Sequence, residues 1–258
     1  MLAAATPGVT VIDLTHQVPA FDVRAGSHTL VRAIPHLGPG VVLAVVDPGV
    51  GSSRRGVCLE VTPLRGEPSF FVGPDNGLLI AAAESAGEAP VARAFTLRRD
   101  QATVERGITF DGRDLFAPAA AALCRGVPPE DLGDPVDPHT LVRLTGGVVE
   151  RGRLSDGRTC MRTEVMWVDH FGNMQLAATY ADAQAAGVPP TGTRGITLVT
   201  PGAEGEMTLR RVDTFADLSP GEFGLLIDSN GHVAVVAGQA SAAGQLDVSA
   251  GMLVVLAW

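Results

Sequence analysis

Over the first half of the chain, short continuous apolar runs alternate with segments of helical spacing. Residues 9–14 (VTVIDL) and 41–46 (VVLAVV) have the unbroken apolar character of strands buried on both faces. Between them, Val23, Gly26, Leu30 and Ala33 recur at helical intervals over 22–33, so the stretch reads strand, helix, strand, the unit of a parallel sheet. A hairpin-like pair follows at 56–62 and 69–72. Next comes the turn quartet Pro74-Asp75-Asn76-Gly77, feeding a helix over 78–87. Residues 114–125 (DLFAPAAAALCR) read as a further helix, with Thr109 and Asp111 as capping candidates.

The stretch 126–139 is rich in proline and acid and reads as a surface connection. Beyond it the texture changes to short β-rich runs separated by glycine-containing turns: RTEVMWVD, GITLVT, GEMTLRRV, FGLLIDS, HVAVVA and MLVVLA. One helical insert, near 180–187, interrupts them. The expected architecture is an α/β domain over 1–145, with a mostly parallel sheet flanked by helices, followed by an all-β, barrel-like domain over 146–258.

Composition narrows the chemistry. The chain has 258 residues, a formal charge of −9 and a pI near 5.1. All 19 basic residues are arginine, which excludes a Schiff-base lysine, a P-loop lysine and a lysine general base. An acidic chain without basic tracts also argues against nucleic acid as a partner. Cys58, Cys124 and Cys160 form no C-x-x-C pair, and an odd count fits a reducing compartment better than a disulfide framework. No run approaches the roughly 20 apolar residues of a membrane span, so a cytoplasmic protein away from the membrane is expected. The lysine-free bias towards Ala, Val, Gly and Arg has the look of a GC-rich bacterial genome.

In an open parallel sheet, ligands gather beyond the carboxyl ends of the strands. Three polar clusters fall there: Asp13-Leu14-Thr15-His16, Asp47-Pro48-Gly49-Val50-Gly51, and Thr109 to Asp114. In the second, a buried strand runs into a carboxylate and two glycines, and Arg54 is placed to return and pair with Asp47. An Asp before Pro-Gly is equally a turn former, and Asp111 ahead of a helix is first of all an N-cap. The six histidines show no metal-ligand spacing, and G-x-S-x-G, P-loop and G-x-G-x-x-G motifs are absent. Residues and spacing alone give an acidic, glycine-rich pocket and no named reaction.

Six blocks, taken in order, go further: VIDLTHQVPAFDVRAG, VVDPGVGSSRR, VGPDNGLL, TFDGRDLFAPAAA, VDHFGN and IDSNGHVAV. Together they resemble the S-adenosylmethionine (SAM) hydroxide adenosyltransferases, the SAM hydrolases related to fluorinases and chlorinases, over nearly the whole chain. The resemblance implies an N-terminal α/β domain, a C-terminal β-barrel and a homotrimer with active sites between subunits. It also implies cleavage of SAM to adenosine and L-methionine by water or hydroxide attack at ribose C5′, with SAM as substrate and neither cofactor nor metal. An Asp-Arg-His set orients and activates water in the family. The Asp falls on Asp47 and the Arg on Arg54, while the histidine position is occupied by Asp111. Two neighbouring carboxylates imply a raised pKa for one of them. Substrate contacts carry over to Phe21, Thr109, Phe110, Asp169, Phe171, Asn173, Phe215, Ser229 and Gln239, with Asp75 and Asn76 left as turn residues. Halide as nucleophile is disfavoured by the charge of Asp47 and by Gly112, where the halogenases carry a serine.

Two departures define an alternative, a SAM- or adenosine-binding protein with little or no turnover. One is Asp111. The other is the front of the chain, where the family's first strand, with a T-D-x-G turn, and first helix precede the D-x-T-H block. The expectation is that they lie about twenty residues upstream of Met1, one strand-plus-helix unit. A sheet without that strand would have an exposed apolar edge and poor solubility.

Overall fold

The computed structural model describes residues 6–62, 67–87, 91–99, 109–201 and 205–258. The chain divides into two compact units, Met1–Leu144 and Thr145–Trp258.

In the first unit the described residues form a five-stranded sheet from β1 (Val41–Leu43), β2 (Gly56–Val61), β3 (Ser69–Pro74), β4 (Arg93–Leu97) and β5 (Gly133–Val136), in the order β1-β3-β2-β4-β5. Only β1 and β3 run parallel; β2–β3, β2–β4 and β4–β5 are antiparallel. The sheet is therefore mixed, and the mostly parallel sheet expected from the sequence is not what forms. The physical reason is the β2–β3 hairpin at the centre of the sheet: β2 runs against β3, and β4, which returns in the direction of β3, pairs antiparallel with the other edge of β2.

The run 9–14 is also not a strand. It lies as exposed coil, with Ile12 70% exposed and Val11 and Leu14 half open. The free edge of β1 instead faces a cavity of about 640 Å³ lined on one side by Ile12, Asp13, Leu14 and His16 and on the other by Val41–Val46. An apolar run becomes a doubly buried strand only where a ladder satisfies its backbone, and here it has none. β1 itself is shorter than the 41–46 run, although the Ala44 N–H still donates to the Val72 carbonyl at 3.1 Å. That close approach depends on Gly73, where a Cβ would stand 2.2 Å from the Ala44 carbonyl oxygen.

Helix α1 (Val23–Ala33) begins at Asp22, whose side chain accepts from the Ala25 N–H at 2.8 Å, and buries Ala25, Gly26, Ser27 and Leu30. It packs on α2 (Ile80–Ser85). On the opposite face of the sheet, a π-helical turn at Gly112–Phe116 continues into α3 (Ala117–Cys124). Leu115, Phe116 and Ala120 pack there with Cys58, Val72 and Phe95.

The second unit is a closed barrel. Its strands are β6 (Val149–Arg153), β7 (Thr159–Val168), β8 (Met174–Thr179), β9 (Arg194–Val199), β10 (Met207–Arg211), β11 (Phe223–Ile227), β12 (His232–Ala237) and β13 (Leu253–Ala257). Seven of them close the ring β7-β8-β12-β11-β10-β9-β13 through the β13–β7 pairing, and β6 pairs with the first half of β7, on the edge opposite β13 and next to β8. Met161, Val165, Met174, Leu176, Ile196, Leu198, Leu209, Leu225, Val235 and Leu256 fill the interior. Each buried side chain of this size stabilises by about 1.5–3 kcal/mol. The helical insert is Tyr180–Ala186, started by a capping box between Thr179 and Asp182 and ended by left-handed Gly187.

Candidate active site

In the first unit two aspartates and two arginines meet below the end of β1. The chain leaves β1 through Val46 to Asp47 and turns back at Gly49, where the Ser52 hydroxyl donates to the Gly49 carbonyl at 2.6 Å. This reversal brings Arg54 onto Asp47. Its Nε donates to Oδ1 at 2.9 Å and its Nη2 to Oδ2. The same Nη2 also donates to Asp111 Oδ2, and Arg99 clamps Asp111 with both terminal nitrogens, Nη2 to Oδ2 at 2.5 Å. Asp111 is 1% exposed. The Arg54 guanidinium lies 5.2 Å from the centre of the Phe116 ring, so its apolar face is covered while its edge is spent on carboxylates.

Asp111 is therefore not a helix N-cap: no side-chain capping hydrogen bond is made there, and its oxygens serve the two guanidiniums. Its position at the mouth of a π-helical turn, a feature concentrated at functional sites, turns it inward. Burial alone would push its carboxyl up, but the hydrogen bonds from Arg99 and then Arg54, with their charges, hold it below the usual carboxylate range. This corrects the raised carboxyl expected of an Asp47–Asp111 pair as far as Asp111 is concerned, because an arginine stands between the two. Asp111 in turn raises Arg99 above the ordinary guanidinium value.

Asp47 also opens on a second feature. Together with Pro48, Val45, Val46, Thr15, His16 and the 18–21 segment ending at Phe21, it lines a cavity of about 350 Å³. Phe21 is 78% exposed and sits at φ 67°, a left-handed conformation that is strained for an aromatic residue. Asp111 and Arg54 do not line this cavity. Phe110 and Thr109 are exposed beside Asp111, with the Arg113 guanidinium 4.7 Å from the centre of the Phe110 ring.

Asp75 and Asn76, read as plain turn residues, do more. Asn76 Nδ2 donates to the Val46 carbonyl at 2.8 Å, next to Asp47. Asp75 is buried, taking Arg55 Nε at 2.8 Å on one oxygen and the Val142 N–H at 2.8 Å on the other. The turn thus braces both ends of the 47–54 loop. Arg99 was missed altogether. Arg98-Arg99 follows β4 as an ordinary charged pair, and only the fold shows that it reaches a carboxylate 12 residues on.

The second unit holds a different kind of site. Phe171, Asn173, Phe215, Ala237, Gln239, Ala240 and Ser241 line a cavity of about 610 Å³. Asp169 organises its rim: Oδ1 accepts the N–H groups of Phe171 and Asn173, both at 2.9 Å, and Oδ2 accepts Asn173 Nδ2 at 2.8 Å. Gly172, at φ 83°, allows the turn, and a Cβ there would meet Ser241 Oγ at 2.0 Å. Gln239, at φ 52°, is the second strained site residue. Four of the expected contacts therefore share one cavity, with Asp169 behind them. Ser229 is not among them. It sits in the exposed turn at the other end of β12, beyond a six-residue strand that spans about 20 Å. Next to it Asp228 accepts from Asn230 N–H, His232 N–H and Gln175 Nε2.

Among the described residues, no three His, Cys, Asp or Glu side chains converge as a metal site, and no helix is long and apolar enough to cross a membrane.

The sequence profile of the SAM hydroxide adenosyltransferase N-terminal domain matches residues 1–133, and that of the C-terminal domain matches 163–255. The chain belongs to this family. A relative from Salinispora tropica, named (R)-S-adenosyl-L-methionine hydrolase, is 43% identical over 97% of this chain and 87% of its own length. A fluorinase from an Actinoplanes species is 26% identical over 98% of this chain and 89% of its own. Among solved structures, a conserved protein from Thermotoga maritima superposes with a TM-score of 0.78 at 29% identity, covering 99% of this chain and 91% of that one.

Proposed function

We propose that this protein hydrolyses SAM to adenosine and L-methionine. Water attacks ribose C5′ opposite the sulfonium. The new C5′–O bond forms as the C5′–S bond breaks, sulfur keeps the electron pair as a neutral thioether, and one water proton is released. The sulfonium makes its own leaving group, so the chemistry asks only for an oriented, partly deprotonated water and no cofactor.

The observation that carries this reading is the division of labour in the arginine–aspartate cluster. Asp47 lines the cavity, its side chain 6% exposed and its oxygens keeping lone pairs after Arg54, whereas Asp111 is 1% exposed and does not line it. Asp47 therefore orients the water and takes its proton, and Arg54 fixes the angle of that carboxylate. Phe21, Thr109 and Phe110 form the wall of the reacting end. The Phe171–Gln239 cavity takes the adenine, stacked on Phe171 and Phe215, with Asn173 and Gln239 at its polar edge. Asp169 and Ser229 are assigned to the methionine end.

A homotrimer belongs to the same reading. It is supported by the aromatic surface that both units leave open, with Phe21, Phe110, Phe171 and Phe215 all more than half exposed. A cytoplasmic location is supported by three free cysteines.

Incubation with SAM, with and without chloride, followed by chromatography of the nucleosides, tests the proposal. Adenosine formed independently of halide and of chelators, and lost in Asp47→Ala, is the expected result. SAM binding without product would leave a binding protein, and 5′-chloroadenosine a halogenase.

A further inference from the structure

Arg54 is asked to serve two carboxylates at once. Its Nε and Nη2 hold Asp47, its Nη2 also reaches Asp111, and its Nη1 is spent on the Arg55 carbonyl at 3.3 Å. A carboxylate as deeply buried as Asp111, with a share of one nitrogen, would be under-compensated and would draw Arg54 away from Asp47. Arg99 changes that balance. It supplies two hydrogen bonds to Asp111, so that two guanidiniums match two carboxylates. Its backbone is anchored next door, where the Arg98 N–H donates to the Leu132 carbonyl at 3.0 Å and Arg98 Nη2 to the Glu130 carbonyl at 3.2 Å. Arg99 does not line the cavity that Asp47 faces.

We propose that Arg99 is a positioning residue for the reaction, clamping Asp111 so that Asp111 in turn holds the Arg54 guanidinium square to Asp47. This rests on the hydrolase reading and extends it to a residue that touches neither substrate nor water. The charged groups facing Asp111 are Arg54 and Arg99, with Asp47 across Arg54.

The test compares wild type, Arg99→Gln, Arg99→Lys and the double variant Arg99→Gln/Asp111→Asn in SAM turnover from pH 5 to 9, and in thermal melts without SAM over a range extended to pH 3. In Arg99→Gln, kcat falls about tenfold or more while KM stays within about threefold, because the loss is of orientation rather than binding. Arg99→Lys restores part of kcat. The double variant regains activity over the single one, since it removes the unpaired carboxylate together with its partner. In the melts, the stability that ionised Asp111 contributes is present above its unfolded pKa and lost as pH falls through its lowered folded value. Without Arg99 the folded value is less depressed, so the loss sets in at higher pH, and the double variant does not show it. Wild-type kcat and pH profile in Arg99→Gln, or a double variant as impaired as the single, overturns the proposal. Should Arg99→Gln fail to fold, Arg99→Lys and the double variant carry the same comparison. Absence of turnover in wild type counts against the hydrolase reading alone, because the melts still decide whether Arg99 holds Asp111.

Discussion

The two units present their functional residues in opposite ways. In the first, the side chains that matter are charged, paired and withdrawn: Asp47, Arg54, Arg99 and Asp111 satisfy one another, and one carboxylate edge meets a cavity. In the second, the cavity is walled by exposed aromatics and shaped by backbone, with Asp169 turned inward onto its own loop. The scaffolds differ in the same sense. The barrel closes on itself through β13 and β7, while the sheet of the first unit leaves β1 facing an open cavity. The first arrangement suits chemistry, where a charge must be aimed. The second suits recognition of a flat, neutral ring, where area counts more than charge.

If that division holds, substitutions in the two units separate in kinetics. Asp47→Ala should reduce kcat about 100-fold or more, the usual scale for a positioned base, while SAM binding measured by calorimetry persists. The fold should survive, because Arg54 keeps Asp111 as a partner. A kcat near wild type would remove Asp47 from the chemistry and with it the contrast between the units. Gly73→Ala comes next. It forces a Cβ onto the Ala44 carbonyl and should cost about 1–3 kcal/mol of stability by urea denaturation, with activity falling because the strand leading to Asp47 shifts. Phe215→Ala should raise KM about tenfold with little change in kcat, and should weaken adenosine binding equally. Ser229→Ala should weaken SAM by less and leave adenosine affinity unchanged, since Ser229 lies at the far end of β12 from the aromatic cavity. Equal effects on both ligands would place Ser229 on the adenine instead.

Much of this was legible in the sequence where a local signal existed. The barrel strands announce themselves by apolar runs between glycine turns, and Asp47 and Arg54 by the reversal at Asp47-Pro48-Gly49. In the first unit β4 has no strand signal of its own and β5 lies inside the stretch 126–139 expected as a surface connection; in the barrel two more strands escape, for opposite reasons. β6 (VERGR) is nearly all polar because it lies outside the closed ring, while β8 (MQLAAT) is built from small residues that resemble the helix it feeds. Arg99 was illegible because its meaning lies in a contact between the end of β4 and the start of the π-helical turn, which no periodicity encodes. Asp75 and Asn76 carry a turn signal strong enough to hide their second use, bracing the 47–54 loop from outside.

The smallest expected effect tests the sharpest disagreement between sequence and fold. Residues 9–14 have the composition of a buried strand, yet Ile12 is 70% exposed and the run makes no ladder with β1. Ile12→Ser should therefore change stability by no more than about 0.5 kcal/mol, as at other exposed positions. Leu59→Ala, at a fully buried position in β2, should cost about 2–5 kcal/mol in the same denaturation series. A loss of that size at Ile12 would mean that the run is buried in solution and that the cavity beside β1 is closed there. The first unit would then manage its sheet edge as the barrel does, by covering it.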